Sequence, residues 1–270
     1  MTTKELQEIC RQARIDIINM TANASSGHPG GSLSSVELMT AVLYTQMRMY
    51  PDDPGNPDRD RFVLSKGHAA PCYYSLLCQK GFFPREAFKD FRQINSFLQG
   101  HPSSALIPGV DASTGSLGQG CSIAVGMAIA AKCMGKDTKV FTILGDGECQ
   151  EGQIWEAMMA SAHYHLDNLT IIIDWNGLQI DGTNDEVMSL GDLHGKCAAF
   201  GLDVIELPDG NDIEAVVEAL NKPFKPGMPK CILAHTVKGK GVSFMENQVG
   251  WHGKGPNEEQ RAAALAELEG

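Results

Sequence analysis

The chain has 270 residues, of which 43% are hydrophobic and 20% are charged, and its formal net charge is −11. This composition is typical of a globular protein and excludes a disordered chain, while the acidic balance argues against nucleic-acid binding because such a surface repels phosphate backbones. The length suits one large α/β core, so we expect residues 1–270 to form a single domain.

The first third of the chain is predicted to be mainly helical. Apolar residues spaced by three or four, from Leu6 to Met20, predict an amphipathic first helix. This helix should end where glycine and proline enter, at ASSGHPGGS. A second helix is predicted from about Ser35 to Met47. After a turn-rich loop, RFVLS predicts a short strand that leads through KGHAAP into another helix.

The rest of the chain alternates predicted strands and helices. The Gly-, Pro- and Ser-rich segment 100–120 is predicted to be a long functional loop, and a small-residue helix follows it. Later helices are predicted near 153–165, near 211–222 and in the tail, and strands at TKVFTILGDG, NLTIIIDWNG, LDVIEL and KCILAHT. Such alternation indicates an α/β protein with a mainly parallel sheet between two layers of helices, a three-layer αβα fold.

The cysteines and the apolar segments bear on the compartment. None of the eight cysteines belongs to a CxxC pair, which favours small buried hydrophobic residues in a reducing compartment. The N-terminus lacks a basic region followed by an apolar core, and the longest near-apolar run, CSIAVGMAIAA, is too short to cross a bilayer. We therefore expect a cytoplasmic protein that has no membrane partner.

The stretch VFTILGDGECQEGQIWEA, residues 140–157, places Asp146 between two glycines where a predicted strand ends. Asn176 ends the next predicted strand, with 28 residues between it and Gly147. Because the carboxyl ends of parallel strands meet at one edge of a sheet, we expect these side chains to converge. Their oxygens are hard ligands of the kind that Mg²⁺ or Ca²⁺ accepts, and Gly145 and Gly147 leave backbone N–H groups open to an anion. The pattern predicts a diphosphate site.

Two other interpretations of Gly-Asp-Gly stay open at this point. An Asp between glycines is also an ordinary cap of a strand-to-helix turn. A dinucleotide fold would place glycines here too, but its pattern requires a third glycine where this chain has Gln150.

Four of the eight histidines stand in glycine-containing turns, which distinguishes them from the other four; they are His28, His68, His101 and His252.

Longer motifs carry a resemblance to a known family. Gly-Asp-Gly followed by 28 residues and Asn resembles the thiamine-diphosphate-binding motif. The N-terminal domain of transketolases has, in the same order, the motifs SGHPGGSLS, LSKGHAAP, GHP, TGSLGQG, GDGECQEGQIWEA, DWNGLQIDG, VKGKG and WHG. The resemblance runs from about residue 5 to 255. It implies the thiamine-diphosphate-binding fold, in its diphosphate-binding form, with thiamine diphosphate and Mg²⁺ as cofactors and Ca²⁺ or Mn²⁺ as substitutes for Mg²⁺.

The resemblance implies a role for each matching residue. The side chains of Asp146 and Asn176 and the main-chain carbonyl of Leu178 would bind the metal. The cofactor-binding residues would be His68, Gly115, Leu117, Gly145, Asp146, Gly147, Asn176, Ile180 and His252. The catalytic residues, which would exchange protons with the sugar, would be His28, His101 and His252.

Two groups of residues have simpler alternatives, and one further residue is placed near an interface. Leu117 and Ile180 could be ordinary core residues. Lys238 and Lys240 in VKGKG fit a solvated basic turn as well as a site. Glu151 resembles a carboxylate that lies near a subunit interface, and its segment and the small-residue helix CSIAVGMAIAAKCM are the predicted apolar interface.

The sequence departs from the one-chain members of the family in two places. Ser116 stands where many of them have proline. The family's second domain, which supplies the glutamate that activates the aminopyrimidine, does not follow here, and neither does its third domain.

The resemblance therefore implies the N-terminal subunit of a split transketolase. With a C-terminal subunit that carries the pyrimidine-binding domain, it would transfer a two-carbon ketol unit from a ketose or ketose phosphate to an aldose or aldose phosphate, and it would be inactive alone. Two copies of each chain are expected.

Two other functions remain open on the sequence. One is half of a related thiamine-dependent enzyme, such as 1-deoxyxylulose-5-phosphate synthase. The other is a non-catalytic scaffold or regulatory subunit, against which the intact Asp146, Asn176 and turn histidines count.

Overall fold

The computed structural model describes residues 1–270. The strands are β1 (Arg61–Leu64), β2 (Val140–Gly145), β3 (Leu169–Trp175), β4 (Asp203–Leu207) and β5 (Lys230–His235). They form one sheet in the order β1-β2-β3-β5-β4, and every neighbouring pair is parallel. All carboxyl ends of the strands therefore lie at the same edge of the sheet.

Ten α-helices surround this sheet. They are α1 (Thr3–Asn23), α2 (Pro29–Ser34), α3 (Val36–Ala41), α4 (Ala70–Gln79), α5 (Gln119–Cys133), α6 (Gly152–His163), α7 (Asn184–Met188), α8 (Leu193–Ala199), α9 (Ile213–Asn221) and α10 (Glu258–Glu269). None of them has the length and hydrophobicity that a membrane crossing requires.

The two faces of the sheet are covered by separate hydrophobic clusters. Successive strand residues point to opposite faces, and in β3 Ile172 packs in one cluster while Ile171 and Ile173 pack in the other. Helices α1, α3, α4, α9 and α10 cover the Ile172 face, and α5, α6 and α8 cover the opposite face. The parallel sheet and the three-layer α/β fold predicted from the alternation of elements are thus confirmed.

The predicted second helix is divided in the structure. A short helix, α2, already begins at Pro29, because proline fits the first position of a helix. It is separated from α3 at Ser35, and a π-helical turn, Val42–Gln46, follows α3. Helix α2 packs closely against His68 at Gly31, because a Cβ atom on this glycine would lie only 3.3 Å from Nε2 of His68. The close approach of this helix to a site histidine could not be read from the local pattern.

Two short helices between β3 and β4 were not predicted. Helix α7 begins at a capping box formed by Thr183 and Glu186, and α8 begins where the side chain of Asp192 accepts the N–H of Gly195. They have five and seven residues, which is too short for a helical period to stand out in the sequence. The predicted long loop, by contrast, has no regular helix or strand until α5 begins at Gln119.

Candidate functional site at the carboxyl edge of the sheet

A cavity of about 380 Å³ lies where β2 and β3 end. Its wall includes every residue that the sequence analysis assigned to the site: His28, His68, His101, Gly115, Leu117, Gly145, Asp146, Gly147, Glu151, Asn176, Leu178, Ile180 and His252. The fold thus brings residues from both ends of the chain around one space, whereas their individual roles stay predictions.

Asp146 joins the loops that follow the two central strands. Its Oδ2 accepts the N–H of Gly177 at 2.5 Å, and its Oδ1 accepts the N–H of Gly147 at 2.8 Å. On the second loop, Oδ1 of Asn176 accepts the N–H of Leu178 at 3.2 Å. The two polar side chains that follow β2 and β3 do converge at one edge.

A buried ion pair lies beside this carboxylate. Nζ of Lys66 donates to Oδ2 of Asp174, and both side chains are almost completely buried. Burial, and after it the charge of Asp174, raises the pKa of Asp146 to about 6. The carboxylate of Asp174 also accepts hydrogen bonds from three hydroxyl groups, those of Ser34, Ser35 and Thr236.

The oxygen atoms at this edge suit a hard divalent cation. Asp146 supplies a carboxylate, Asn176 an amide oxygen and Leu178 a main-chain carbonyl, all of them ligands that Mg²⁺ or Ca²⁺ accepts. The structure has no group of three or more His, Cys, Asp or Glu side chains placed to hold a metal, and this donor set contains only one such side chain. A cation would neutralise the buried charge that the raised pKa of Asp146 reflects. The residues present therefore fit such an ion.

The four histidines from glycine-containing turns form one cluster. The ring centroid of His28 lies 5.2 Å from that of His68, 6.3 Å from that of His101 and 5.4 Å from that of His252. The rings of His68 and His252 are 5.3 Å apart. Turns that are distant in the sequence thus place three imidazoles around that of His28.

The environment keeps these imidazoles neutral at physiological pH. Burial, followed by the charge of Arg92, lowers the pKa of His28 to about 4. Burial, followed by the charge of Lys238, lowers the pKa of His252 to about 3. Nδ1 of His28 is buried and has no hydrogen-bond partner within the chain. A neutral imidazole can accept a proton, and this unpartnered nitrogen is suited to a polar group of a ligand.

Gly115 packs closely against one of these rings. Its φ is +142°, and a Cβ atom there would lie 3.0 Å from Cγ of His101. Any other residue at this position would combine backbone strain with a tight contact to the His101 ring. Leu117 is half-buried, and Ile180 is 64% exposed. The alternative that these two are core residues is therefore wrong.

Six lining residues were not assigned to the site from the sequence: Gly31, Lys66, Glu148, Gln150, Gln179 and Lys238. Lys238 is 2% exposed, which excludes a solvated turn for this residue. Its Nζ donates to the carbonyl of Leu178 at 3.0 Å and lies 2.9 Å from Nδ1 of His252. Burial lowers the pKa of Lys238 to about 8. Lys240 lies outside the cavity. The sequence did contain a signal that could have assigned Lys238 to the site. A strand precedes VKGKG, so the motif follows a strand end and lies at the same edge of the sheet as Asp146.

Comparison with known proteins agrees with this geometry. Residues 3–268 match a family described as "Transketolase, thiamine diphosphate binding domain". The chain is 42% identical over 267 residues to an apulose-4-phosphate transketolase subunit of Phocaeicola vulgatus, and the match covers 98% of this chain and 94% of that protein. It is 43% identical over 244 residues to the 6-deoxy-6-sulfo-D-fructose transketolase subunit SqwG of a Clostridium species, with 90% of this chain and 88% of that protein covered.

Solved structures show the same similarity in three dimensions. The transketolase of Leishmania mexicana superposes with a TM-score of 0.92 at 33% identity and covers 98% of this chain. The transketolase of Campylobacter jejuni has a TM-score of 0.94, also at 33% identity, and covers the whole chain. This chain spans only 41% and 43% of those two proteins.

Proposed function

The chain belongs to the transketolase family, whose thiamine diphosphate binding domain it matches over nearly its whole length, and we propose that it is the diphosphate-binding subunit of a two-chain transketolase. This proposal rests mainly on one observation: three residues whose oxygen atoms can bind a metal, namely Asp146, Asn176 and Leu178, line the same cavity as four neutral histidines. The relatives that resemble it over most of their own length carry subunit names.

The metal end of the site is assigned to the loops after β2 and β3. Asp146, Asn176 and the carbonyl of Leu178 would hold Mg²⁺, for which Ca²⁺ or Mn²⁺ can substitute. The N–H of Gly147 donates to Oδ1 of Asp146, and a cation bound by that carboxylate would compete for this oxygen. The N–H would then be available to a diphosphate oxygen. Lys238 and His68 line the same space and would bind the diphosphate from the other side.

The catalytic end is assigned to the histidine cluster. Thiamine diphosphate, when bound, supplies the carbon nucleophile that allows the bond between the second and third carbons of a ketose to break. His28, His101 and His252 would bind the sugar hydroxyls and accept or return their protons. Their lowered pKa values leave them unprotonated, and therefore able to accept, at neutral pH.

A partner chain is proposed to complete the site. Ile180 lines the cavity and exposes most of its apolar side chain, and Glu151, which also lines the cavity, is exposed. One surface of α5 is also open, with Ile123 37% exposed. We assign these surfaces to contacts with the C-terminal subunit, which carries the pyrimidine-binding domain, and to a second copy of this chain, in an assembly of two copies of each.

The substrates are proposed to be sugars that carry an anionic group, such as a phosphate. A two-carbon ketol unit would pass from a ketose or its phosphate to an aldose or its phosphate. The two relatives described above act, by their names, on apulose-4-phosphate and on 6-deoxy-6-sulfo-D-fructose, and both sugars bear an anionic group. The cavity of this chain is suited to the reacting end of such a sugar. The histidines that line it would lie beside the predicted cofactor and could bind the sugar hydroxyls.

Reconstitution tests this proposal. The purified chain should bind thiamine diphosphate in calorimetry when Mg²⁺ is present and should transfer no glycolaldehyde unit. Addition of the C-terminal subunit should produce ketol transfer. Failure to bind the cofactor would support a scaffold or regulatory role instead, and ketol transfer by the chain alone would overturn the two-chain proposal.

A further inference from the structure

Glu148 is a buried carboxylate for which neither the metal site nor the histidine cluster accounts. It follows the Gly-Asp-Gly segment, in the single 3₁₀ turn Gly147–Gln150, and it is 2% exposed. It is one of the residues that line the cavity. A buried carboxylate normally requires several donors, and those around Glu148 come from three separate segments.

The three donors converge on the two oxygens of this carboxylate. Oε1 accepts from Oγ of Ser65, just after β1, at 2.5 Å and from the N–H of Gly118, just before α5, at 2.8 Å. Oε2 accepts from the N–H of Gly145, at the end of β2, at 3.1 Å. Oγ of Ser65 in turn accepts the N–H of Cys121 at 3.1 Å. One carboxylate thus joins two strand ends to the start of a helix.

The segment Gly115–Leu117 depends on this junction. Its three residues take part in no hydrogen bond formed by a side chain, and the backbone is held on one side by the N–H of Thr114, which donates to the carbonyl of Pro102 at 3.2 Å. On the other side, the bond from Gly118 to Glu148 anchors it directly. The chain also packs closely there, since a Cβ atom on Gly120 would lie 2.6 Å from Cα of Ser65.

We propose that Glu148 is a positioning residue that holds the loop Gly115–Leu117 in register with the Gly-Asp-Gly segment. This inference rests on the proposed function, in which Gly-Asp-Gly faces the diphosphate, and on the family resemblance, by which Gly115 and Leu117 would face the rings of thiamine diphosphate. Only a carboxylate can accept from all three donors without presenting a donor of its own. Without Glu148 the Gly-Asp-Gly segment keeps the bonds of Asp146 to the N–H groups of Gly147 and Gly177, so its loss should weaken binding at the ring end more than at the diphosphate end.

The test compares two ligands of the full chain in the presence of Mg²⁺. Inorganic diphosphate reports on the diphosphate end alone, and thiamine diphosphate reports on both ends. Glu148→Gln keeps the shape of the side chain but turns an amide donor toward one of the N–H or O–H donors. We expect the affinity for thiamine diphosphate to fall by about tenfold or more, because a buried donor is left unsatisfied. The affinity for inorganic diphosphate should stay within about twofold.

Two further variants make the result decisive. Glu156→Gln changes an exposed glutamate on α6 and should alter neither affinity. Ser65→Ala removes the hydroxyl that joins Glu148 to α5 and should reproduce the selective loss in weaker form, so it decides the question if Glu148→Gln does not fold. Equal losses of affinity for both ligands, or no loss, would overturn the positioning role. The proposed function would still stand in that case, provided that the wild-type chain binds thiamine diphosphate. No binding of thiamine diphosphate by the wild type would overturn both.

Discussion

Lys66 and Asp174 form an ion pair beneath the cavity, and the side-chain exposures of the two residues are 1% and 0%. Nζ of Lys66 also donates to the carbonyl of Gly31 and to Oγ of Ser35, each at 2.9 Å. The pair therefore ties the end of β3 to helix α2, which carries the turn of His28 into the site. Its geometry links the stability of the fold to the shape of the cavity.

Removal of one partner from this pair should destabilise the protein strongly. Lys66→Met leaves the charge of Asp174 buried without its counter-ion, and we expect the free energy of unfolding to fall by about 3–5 kcal/mol. Urea denaturation measures the change. Arg11→Met is the control, because the Arg11–Glu8 pair is exposed and should contribute less than about 1 kcal/mol. A similar small loss for Lys66→Met would contradict the importance of the buried pair.

The metal assignment predicts unequal effects of two substitutions. Asp146→Ala removes both a ligand and the negative charge that balances the cation. Loss of a residue that only supports a metal ligand lowers affinity by up to about 100-fold, so loss of Asp146 itself should lower the Mg²⁺-dependent affinity for thiamine diphosphate by more than that. Asn176→Ala removes a neutral ligand and should weaken binding less. Calorimetry with Mg²⁺ and with a chelator measures both. Asp181→Ala, an exposed change in the same loop, is the control, and an unchanged affinity in Asp146→Ala would refute the assignment.

The histidine cluster should separate into two kinetic classes. His28→Ala and His101→Ala should lower kcat of the reconstituted enzyme by about 10²–10⁴-fold, the range for a positioned proton-transfer group, while cofactor affinity changes little. His68→Ala should instead raise the concentration of thiamine diphosphate that is needed for half-maximal activity. His163→Ala on α6, outside the cavity, should change neither quantity. Wild-type turnover in His28→Ala would exclude its role in proton transfer.

The lowered pKa of His28 should appear in the pH dependence of stability. Between pH 4 and the ordinary value of 6.5, the unfolded chain binds a proton at His28 that the native chain does not. The contribution of His28 to the free energy of unfolding therefore decreases as the pH falls through this window.

His28→Asn, which cannot titrate, should show a weaker decrease than the wild type when urea denaturation is repeated from pH 6.5 to pH 4. Asp146, whose pKa is raised to about 6, acts in the opposite direction, but it does so in both proteins, so the difference between them reports on His28. Parallel curves for the two proteins would show that His28 is not held neutral by the fold.

The sequence by itself determined the elements whose signals are local. Alternating apolar strands and helices predicted the three layers, because a parallel sheet must bury both faces. Asp146 and Asn176 could be placed together because each follows a strand, and the carboxyl ends of parallel strands share an edge. The four histidines were distinguished by their glycine-containing turns, and all of them line the cavity.

Only the tertiary structure decided which charged groups are buried and what they contact. The neighbourhood of Lys238 does not differ from that of a solvated turn, yet packing against the loop of Leu178 and against His252 buries it. Glu148 likewise has a local pattern that is ordinary for a helix start, and its donors come from segments up to 83 positions away. Burial and partner choice depend on contacts between distant segments, and local periodicity and turn chemistry carry no record of those contacts.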